Sequence, residues 1–331
     1  MVTRSMFRVA VFLLVMLVLG SAVCSAGPIW AKGEIHDHST NSDGNRSPQD
    51  VADWYRANGF QFLIITDHER MTDPAPIDKG PAGQFVMIPG EELACTSQGK
   101  PVHANAFGIS GALKSPAGLD TPAKTAANMV DYIRKAGGLP HINHPSWYWA
   151  LSHRDLITIQ GPFLLEIANM TFGCNNEGDQ ARLSTEQTWD YLLSNGKTVY
   201  ATASDDEHNM AAKPNEDAGP GRGWVVARVP ELTPKAVLDA LANGNFYASN
   251  GVELADYSFD GTTFKMRVKP HADQKYVIRF IGKGGEILQE TDGYWAAYRV
   301  PSGTPAPNSY VRCKVISSNG KVAWTQAYRI K

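Results

Sequence analysis

From residue 30 the chain alternates apolar runs with amphipathic stretches, and after residue 251 the pattern changes to a strict period of two. Residues 30–36 read as a first strand. Ser47-Pro48-Gln49-Asp50 opens a helix, with Ser47 as N-cap, Pro48 at the first position and Asn58-Gly59 as the stop. Residues 60–66 (FQFLIIT) are almost continuously apolar, the mark of a strand buried on both faces. Strands are also predicted over 85–89, 103–109, 139–143, 163–167 and 198–203. A helix from Thr121-Pro122 to Gly137-Gly138 and another from Ser184 to Asn195 interleave with them. Residues 224–229, a helix opened by Thr233-Pro234 and residues 245–248 read as a closing βαβ segment. This alternation predicts an α/β domain on a parallel sheet, open or closed into a barrel.

Beyond Gly251, Phe264-Met266-Val268, Tyr276-Ile278-Phe280 and Val311-Cys313-Val315 alternate with polar residues, and Gly261, Gly282, Gly285, Gly303 and Gly320 punctuate them. Short strands at this spacing predict a small all-β sandwich over 252–331, after an α/β domain over 27–251.

Residues 1–26 stand apart. Arg4 and Arg8 precede an apolar run over 9–20, followed by small residues up to Ala26. The run is short of the roughly 20 residues that span a bilayer, so a cleaved export signal is expected, with no stable membrane insertion afterwards. Cleavage after Ala26 competes with cleavage after Ala22. Lipidation at Cys24 fits less well, because Val23 precedes it. The expected location is periplasmic or extracellular. Loss of Arg4 and Arg8, with no acidic residue lost, takes the formal charge from −2 to −4. Hydrophobic residues at 43% and charged residues at 19% exclude a disordered chain, and 31 basic against 33 acidic residues leave no footprint for a nucleic-acid polymer. A small-molecule substrate is expected; the oligomeric state is not legible. Export permits disulfides, and Cys95 and Cys174, each following a strand, are a candidate pair, whereas Cys313 reads as a core residue.

Chemistry gathers at the strand ends. Glu34-Ile35-His36-Asp37-His38 ends the first strand, and in extended chain His36 and His38 point the same way. Asp43 follows in a turn. Thr66-Asp67-His68, Gly90-Glu91-Glu92, His103, Asn143-His144-Pro145, Glu166 and Ser204-Asp205-Asp206-Glu207-His208 stand at the other ends. A lone His or Asp reads as an ordinary loop residue; it is the recurrence on one face that points to a site. Imidazole and carboxylate without paired thiolates suit Zn²⁺, Mn²⁺ or Fe²⁺.

This motif series, His36-Asp37-His38, Ser42-Asp43-Gly44, Ile65-Thr66-Asp67-His68, Gly90-Glu91-Glu92, His103, Asn143-His144-Pro145 and Asp206-Glu207-His208, resembles that of the PHP (polymerase and histidinol phosphatase) superfamily. With Phe246-Tyr247-Ala248-Ser249-Asn250-Gly251 it is similar to the carbaryl-hydrolase-like exported branch. The resemblance covers residues 30–251 and implies a distorted (β/α)7 TIM-like barrel holding two or three divalent metal ions. It implies one ion on His36, His38, Glu92 and Asp206, and a second on Glu92, His103 and His144, with Glu92 bridging. Asp43, His68 and His208 would take a third. Glu92 rather than Glu91, and Asp206 rather than Asp205, fit the family spacing; Asp205 is then an outer or exposed group. Catalytic roles are implied for Glu92, Asp206 and Asp67.

Two cations sharing a carboxylate make hydroxide available near neutral pH, to attack phosphorus or a carbonyl carbon. Asp67, His141 or a metal-bound water could protonate the leaving group. Trp147-Tyr148-Trp149 is either an aromatic wall for a substrate or a hydrophobic lid. Arg70, Arg182 and Arg222 are each a phosphate clamp or an ordinary surface arginine. Glu166 and Asn169 are candidate outer groups; His153 and His271 read as surface residues. The leading expectation is a phosphoesterase acting on a small phosphomonoester or phosphodiester. A carbamate, aryl ester or amide hydrolase, and a metal-holding binding module, stand beside it.

Overall fold

Four helices begin where a hydroxyl side chain takes up a free backbone N–H. Ser47, Thr121, Ser184 and Thr233 accept from Asp50, Lys124, Gln187 and Ala236, and proline follows three of them. The computed structural model describes residues 27–211, 219–271, 273–303 and 305–330. The export segment expected over 1–26 lies outside the described residues. No helix among the described residues is long and apolar enough to cross a membrane.

The elements run β1 (Ile29–Glu34), α1 (Pro48–Ala57), β2 (Phe62–Leu63), β3 (Val86–Met87), β4 (Gly90–Ser97), β5 (Lys100–Phe107) and α2 (Pro122–Lys135). Then come β6 (Leu139–Ile142), α3 (His153–Leu156), β7 (Phe163–Asn169), α4 (Thr185–Ser194), β8 (Val199–Ser204), β9 (Trp224–Val229), α5 (Pro234–Ala242) and β10 (Phe246–Ser249). The remainder is β11 (Leu254–Phe259), β12 (Thr263–Val268), β13 (Tyr276–Ile281), β14 (Ile287–Asp292), β15 (Trp295–Arg299), β16 (Tyr310–Ser317), β17 (Val322–Thr325) and β18 (Tyr328–Arg329).

The fold is mixed α/β, but its ladders do not close into the (β/α)7 barrel. Strands β4 to β8 form one five-stranded sheet, and β1, β2 and β3 belong to a second that continues through β9 and β10 into β17, β16, β13 and β14. Among the described residues their ladder pairing is limited to single bridges, Asp37 with Glu207 and His68 with Glu92. Nor is the sheet all parallel. Gln98 (φ 53°) and Gly99 (φ 72°) turn β4 directly into β5, and a hairpin that tight leaves no room for the crossover helix parallel pairing needs. β10 likewise runs antiparallel to β9, so 224–249 is not a βαβ unit.

An apolar cluster drawn from both sheets and α5, including Ile35, Phe62, Ile64, Phe107, Leu164 and Leu241, fills the space between them. The helices α2 and α4 cover the five-stranded sheet through Met129, Ile133 and Trp189. Beyond residue 251, the sheet β11-β12-β15 packs Phe264 and Met266 against Phe280, Cys313 and Val315. Pairing of Tyr247 with Thr325 and of Ser249 with Ala323 makes β10 and β17 neighbours in one continuous sheet.

A buried ion network also ties β16 to α4. Arg312 spans Asp190 (Nε–Oδ1 2.8 Å, Nη2–Oδ2 2.6 Å) and Glu186 (2.8 Å), and Lys314 reaches Glu186 at 2.5 Å. Burial pushes the Glu186 carboxyl up, but Arg312 and Lys314 more than offset it and hold it at about 2. A carboxyl at 4.5 when unfolded and about 2 when folded lends stability that is complete above pH 4.5 and drains away as pH falls toward 2. Glu186→Gln is therefore expected to cost about 2 kcal/mol at pH 7. In urea melts across an acid pH series, the gap to wild type should close as the pH approaches 2.

Candidate metal centre

The site starts from the pleat. His36 and His38 leave the end of β1 on one side, while Asp37 between them turns away and accepts the His38 N–H. The following turn folds back so closely that a Cβ on Gly44 would lie 2.5 Å from the His38 backbone, a position only glycine fills. Asp67 holds that turn: it accepts from the Ser39 N–H (2.8 Å), Ser39 Oγ (2.7 Å), Ser42 Oγ (2.8 Å) and Thr72 Oγ1. Fully buried and so engaged, Asp67 positions the His38–Asp43 turn.

Glu92 is the centre. Its Oε2 lies 3.3 Å from His36 Nε2, 3.2 Å from His38 Nε2 and 3.3 Å from His68 Nδ1. Its Oε1 lies 3.1 Å from His103 Nδ1 and 3.4 Å from His144 Nε2, and accepts from Asn143 Nδ2 at 2.7 Å. Asp206 turns Oδ1 to His36 (3.3 Å) and His38 (3.2 Å), and its Oδ2 accepts from Asn169. Asp43, half exposed, faces His38 (3.6 Å), His68 (3.7 Å) and His208 (3.4 Å). Asp206 (φ 52°) and His144 (φ 23°) hold left-handed backbone, strain of the kind that gathers at functional sites.

Three overlapping groups have donor atoms within 4.8 Å of one another: His36, His38, Glu92 and Asp206; His68, Glu92 and His103; His38, Asp43, His68 and His208. In the second group it is His68 that joins Glu92 and His103, with His144 beside them on Glu92 Oε1. His38 Nε2 and His68 Nδ1 are buried without a hydrogen-bond partner. Imidazole nitrogens without well-formed hydrogen bonds that face carboxylates at 3.2–3.3 Å fit divalent cations. Burial disfavours charge on His38, yet Asp206 and Glu92 push its pKa up to about 10. Burial also works against the Glu92 carboxylate, but the His36, His103 and His144 imidazoles hold it well below its usual range. In the absence of a cation the cluster draws in protons.

An outer set orients these donors. Glu166 takes His36 Nδ1 at 2.9 Å and accepts from the His144 N–H (2.5 Å), Asn169 Nδ2 (2.9 Å) and Ser204 Oγ. This leaves His36 Nε2 free to face Glu92 and Asp206. Asp205 is fully buried, not exposed, and turns from the centre to accept from Tyr55 Oη and the Arg222 and Gly223 N–H groups. Glu91 goes to the Leu113 N–H. His141, held at about 4 by burial, bonds Thr202 Oγ1 at 2.7 Å and is not placed to deliver a proton.

The cavity over the centre measures about 200 Å³, and among the described residues neither arginine nor lysine lines it. Trp147 is its aromatic wall, edge-on to His103 and His144, whereas Tyr148 is exposed and Trp149 stacks on Arg182. Arg222 donates to the Met170 carbonyl instead. His153 packs on Tyr191 and His271 is exposed. Sequence reasoning missed Thr171 and Cys174 as lining residues; a threonine and a cysteine carry no spacing signal. Cys95, Cys174 and Cys313 are free thiols, so the candidate Cys95–Cys174 disulfide is not formed; Cys95 Sγ donates to the Pro116 carbonyl.

No protein-family model and no curated protein matches the sequence. Among solved structures, the chain is similar to a two-domain Bacteroides vulgatus protein described as containing a PHP-like metal-dependent phosphoesterase. That match has 14% identity over 91% of this chain and 96% of that one, with a TM-score of 0.49. An amidohydrolase from Chromobacterium violaceum is similar at 18% identity (57% and 90% coverage, TM-score 0.40). A Bifidobacterium adolescentis protein described as a metal-dependent phosphoesterase is similar at 14% identity (58% and 93%, TM-score 0.39). Likenesses this loose fix neither fold nor activity, so the functional reading rests on the site's own geometry.

Removing the outer carboxylate without touching the centre tests that geometry. Glu166→Gln is expected to lower metal affinity about 10–100-fold in titrations of chelator-treated protein. Unchanged affinity would mean that His36 needs no such orientation.

Proposed function

We propose that this chain is an exported, PHP-type metal-dependent hydrolase, acting as a phosphoesterase on a small phosphomonoester or phosphodiester. The observation that carries the reading is the Glu92 carboxylate, whose two oxygens face different imidazole sets, so that it is built to bridge. In this reading His36, His38 and Asp206 complete one cation site. His103 and His144 complete a second across Glu92, and Asp43, His68 and His208 form a third. Bound Mn²⁺, Zn²⁺ or Fe²⁺ ions would supply an activated water and positive charge for the oxygens of the reacting group.

The chain's own residues do the rest. Glu92 and Asp206 hold the reacting region together; Asn143 steadies Glu92 Oε1, and Asn169, on Asp206 Oδ2, leaves Oδ1 to face His36 and His38. Trp147 closes one side against water. Charge favours a phosphate ester: three divalent cations against the carboxylates of Asp43, Glu92, Asp206 and Glu166 would leave a surplus of about two positive charges, which suits an anionic substrate. The second reading, a carbamate, aryl ester or amide hydrolase, is supported by the Trp147 wall and by the lack of a cationic side chain among the described residues that line the cavity. Export is supported by Arg4, Arg8 and the apolar run over 9–20.

The test is hydrolysis of matched chromogenic esters, a phosphomonoester, a phosphodiester and an N-methylcarbamate, with Mn²⁺ or Zn²⁺ and with chelator, Glu92→Ala serving as the blank. Phosphate-ester turnover that chelator abolishes and that falls at least ~10³-fold in Glu92→Ala is expected. Turnover of the carbamate alone would replace the phosphoesterase reading with the second one.

A further inference from the structure

The cavity at the metal centre, about 200 Å³, takes a phosphoryl group with part of the substrate it is attached to, and a longer substrate extends beyond it. A cavity about twice as large, near 400 Å³, stands beside it. One turn serves both: His144 and Trp147 line the metal cavity, while Ser146 and Trp149 line its neighbour. Asn175, next to Cys174 of the metal cavity, donates to the Ser146 carbonyl at 3.1 Å and pins that turn from the other side. The strand β5 also runs from one to the other, with His103 at the metals and Lys100 in the second cavity.

The second cavity carries lysine and arginine side chains, which the described residues do not place in the first. Lys100, Arg154 and Arg182 line it against a single carboxylate, Asp155. That carboxylate is already engaged, accepting from Ser152 N–H (2.8 Å) and Oγ (2.6 Å) as a helix cap. Lys100 Nζ gives one hydrogen bond to the Trp149 carbonyl at 2.8 Å and keeps two donors free. Arg182 lies 4.3 Å over the Trp149 ring, a stack that holds the guanidinium flat while Nη1 meets Asp179 at 2.5 Å. Trp149, Leu151 and Leu183 give the cavity an apolar surface beneath these cations.

We propose that this second cavity is a specificity subsite for an anionic group, phosphate or carboxylate, carried by the substrate at a distance from the bond that is cleaved. The proposal rests on the phosphoesterase reading of the metal centre. Lys100 and Arg182 bind the distal anion, Trp149 and Leu183 cover the connecting chain, and Trp147 separates the two subsites.

Phosphate release from hexane-1,6-diyl bisphosphate and from 6-phosphonooxyhexanoate, each against 6-hydroxyhexyl phosphate, tests this with the metal-loaded protein. The kcat/KM of at least one doubly anionic ester should exceed that of the control about ten-fold, through KM; which one does so tells phosphate from carboxylate. That preference should collapse in Lys100→Met and in Arg182→Met, with melting temperatures confirming that both variants fold. No preference in the wild type, or a preference that survives both variants, overturns the subsite. If no ester is hydrolysed, the phosphoesterase reading fails on its own. Calorimetric binding of hexane-1,6-diyl bisphosphonate against hexylphosphonate then decides the subsite: about ten-fold tighter binding, lost in the two variants, supports it, and equal affinity overturns it.

Discussion

A carboxylate ringed by five imidazoles is the constraint to which the rest of this molecule answers. Glu92 is almost fully buried, and His36, His38, His68, His103 and His144 all come within 3.4 Å of its oxygens. Burying such charge costs several kcal/mol unless it is paired, and nitrogens aimed at one carboxylate repel one another if they carry protons. The protons drawn to His38 and the orphaned nitrogens of His38 and His68 are the marks of that conflict. Divalent cations resolve it, since they turn each nitrogen's lone pair into a bond and let a single carboxylate serve two neighbours.

The irregularity of the fold follows from the same constraint. The two sheets meet at His68 with Glu92 and at Asp37 with Glu207, where ligands converge. A continuous ladder at these places would hold strands about 4.8 Å apart and send side chains alternately to opposite faces. Reduced to single bridges, the strand ends can splay and turn several side chains onto one point. Asp67 and Glu166 supply the rigidity that the missing ladder would have given, Asp67 by fastening the turn after β1 and Glu166 by fixing His36 and the turn at His144.

Much of this was legible because it is local. Helix caps at Ser47, Thr121, Ser184 and Thr233 and the period-two strands β12, β13 and β16 follow from side-chain chemistry within a few residues. The convergence of His36, His38, Glu92 and Asp206 was signalled by their place at strand ends. What escaped depends on long-range pairing. β4 was missed because Glu91 and Glu92 disguise a buried strand as a polar loop. The antiparallel pairing of β4, β5 and β6 came from a two-residue turn at Gln98-Gly99 that an alternating pattern does not reveal. The role of Asp67 could not be read because its partners Ser39, Ser42 and Thr72 are ordinary polar residues until the turn is folded.

The bridging role of Glu92 is tested most directly by anomalous diffraction from crystals of the Mn²⁺-loaded protein. At least two scattering peaks, a pair of them about 3.5–4 Å apart and each within coordination distance of a different Glu92 oxygen, are the result the account predicts. A single ion, or a pair that does not share Glu92, would contradict it.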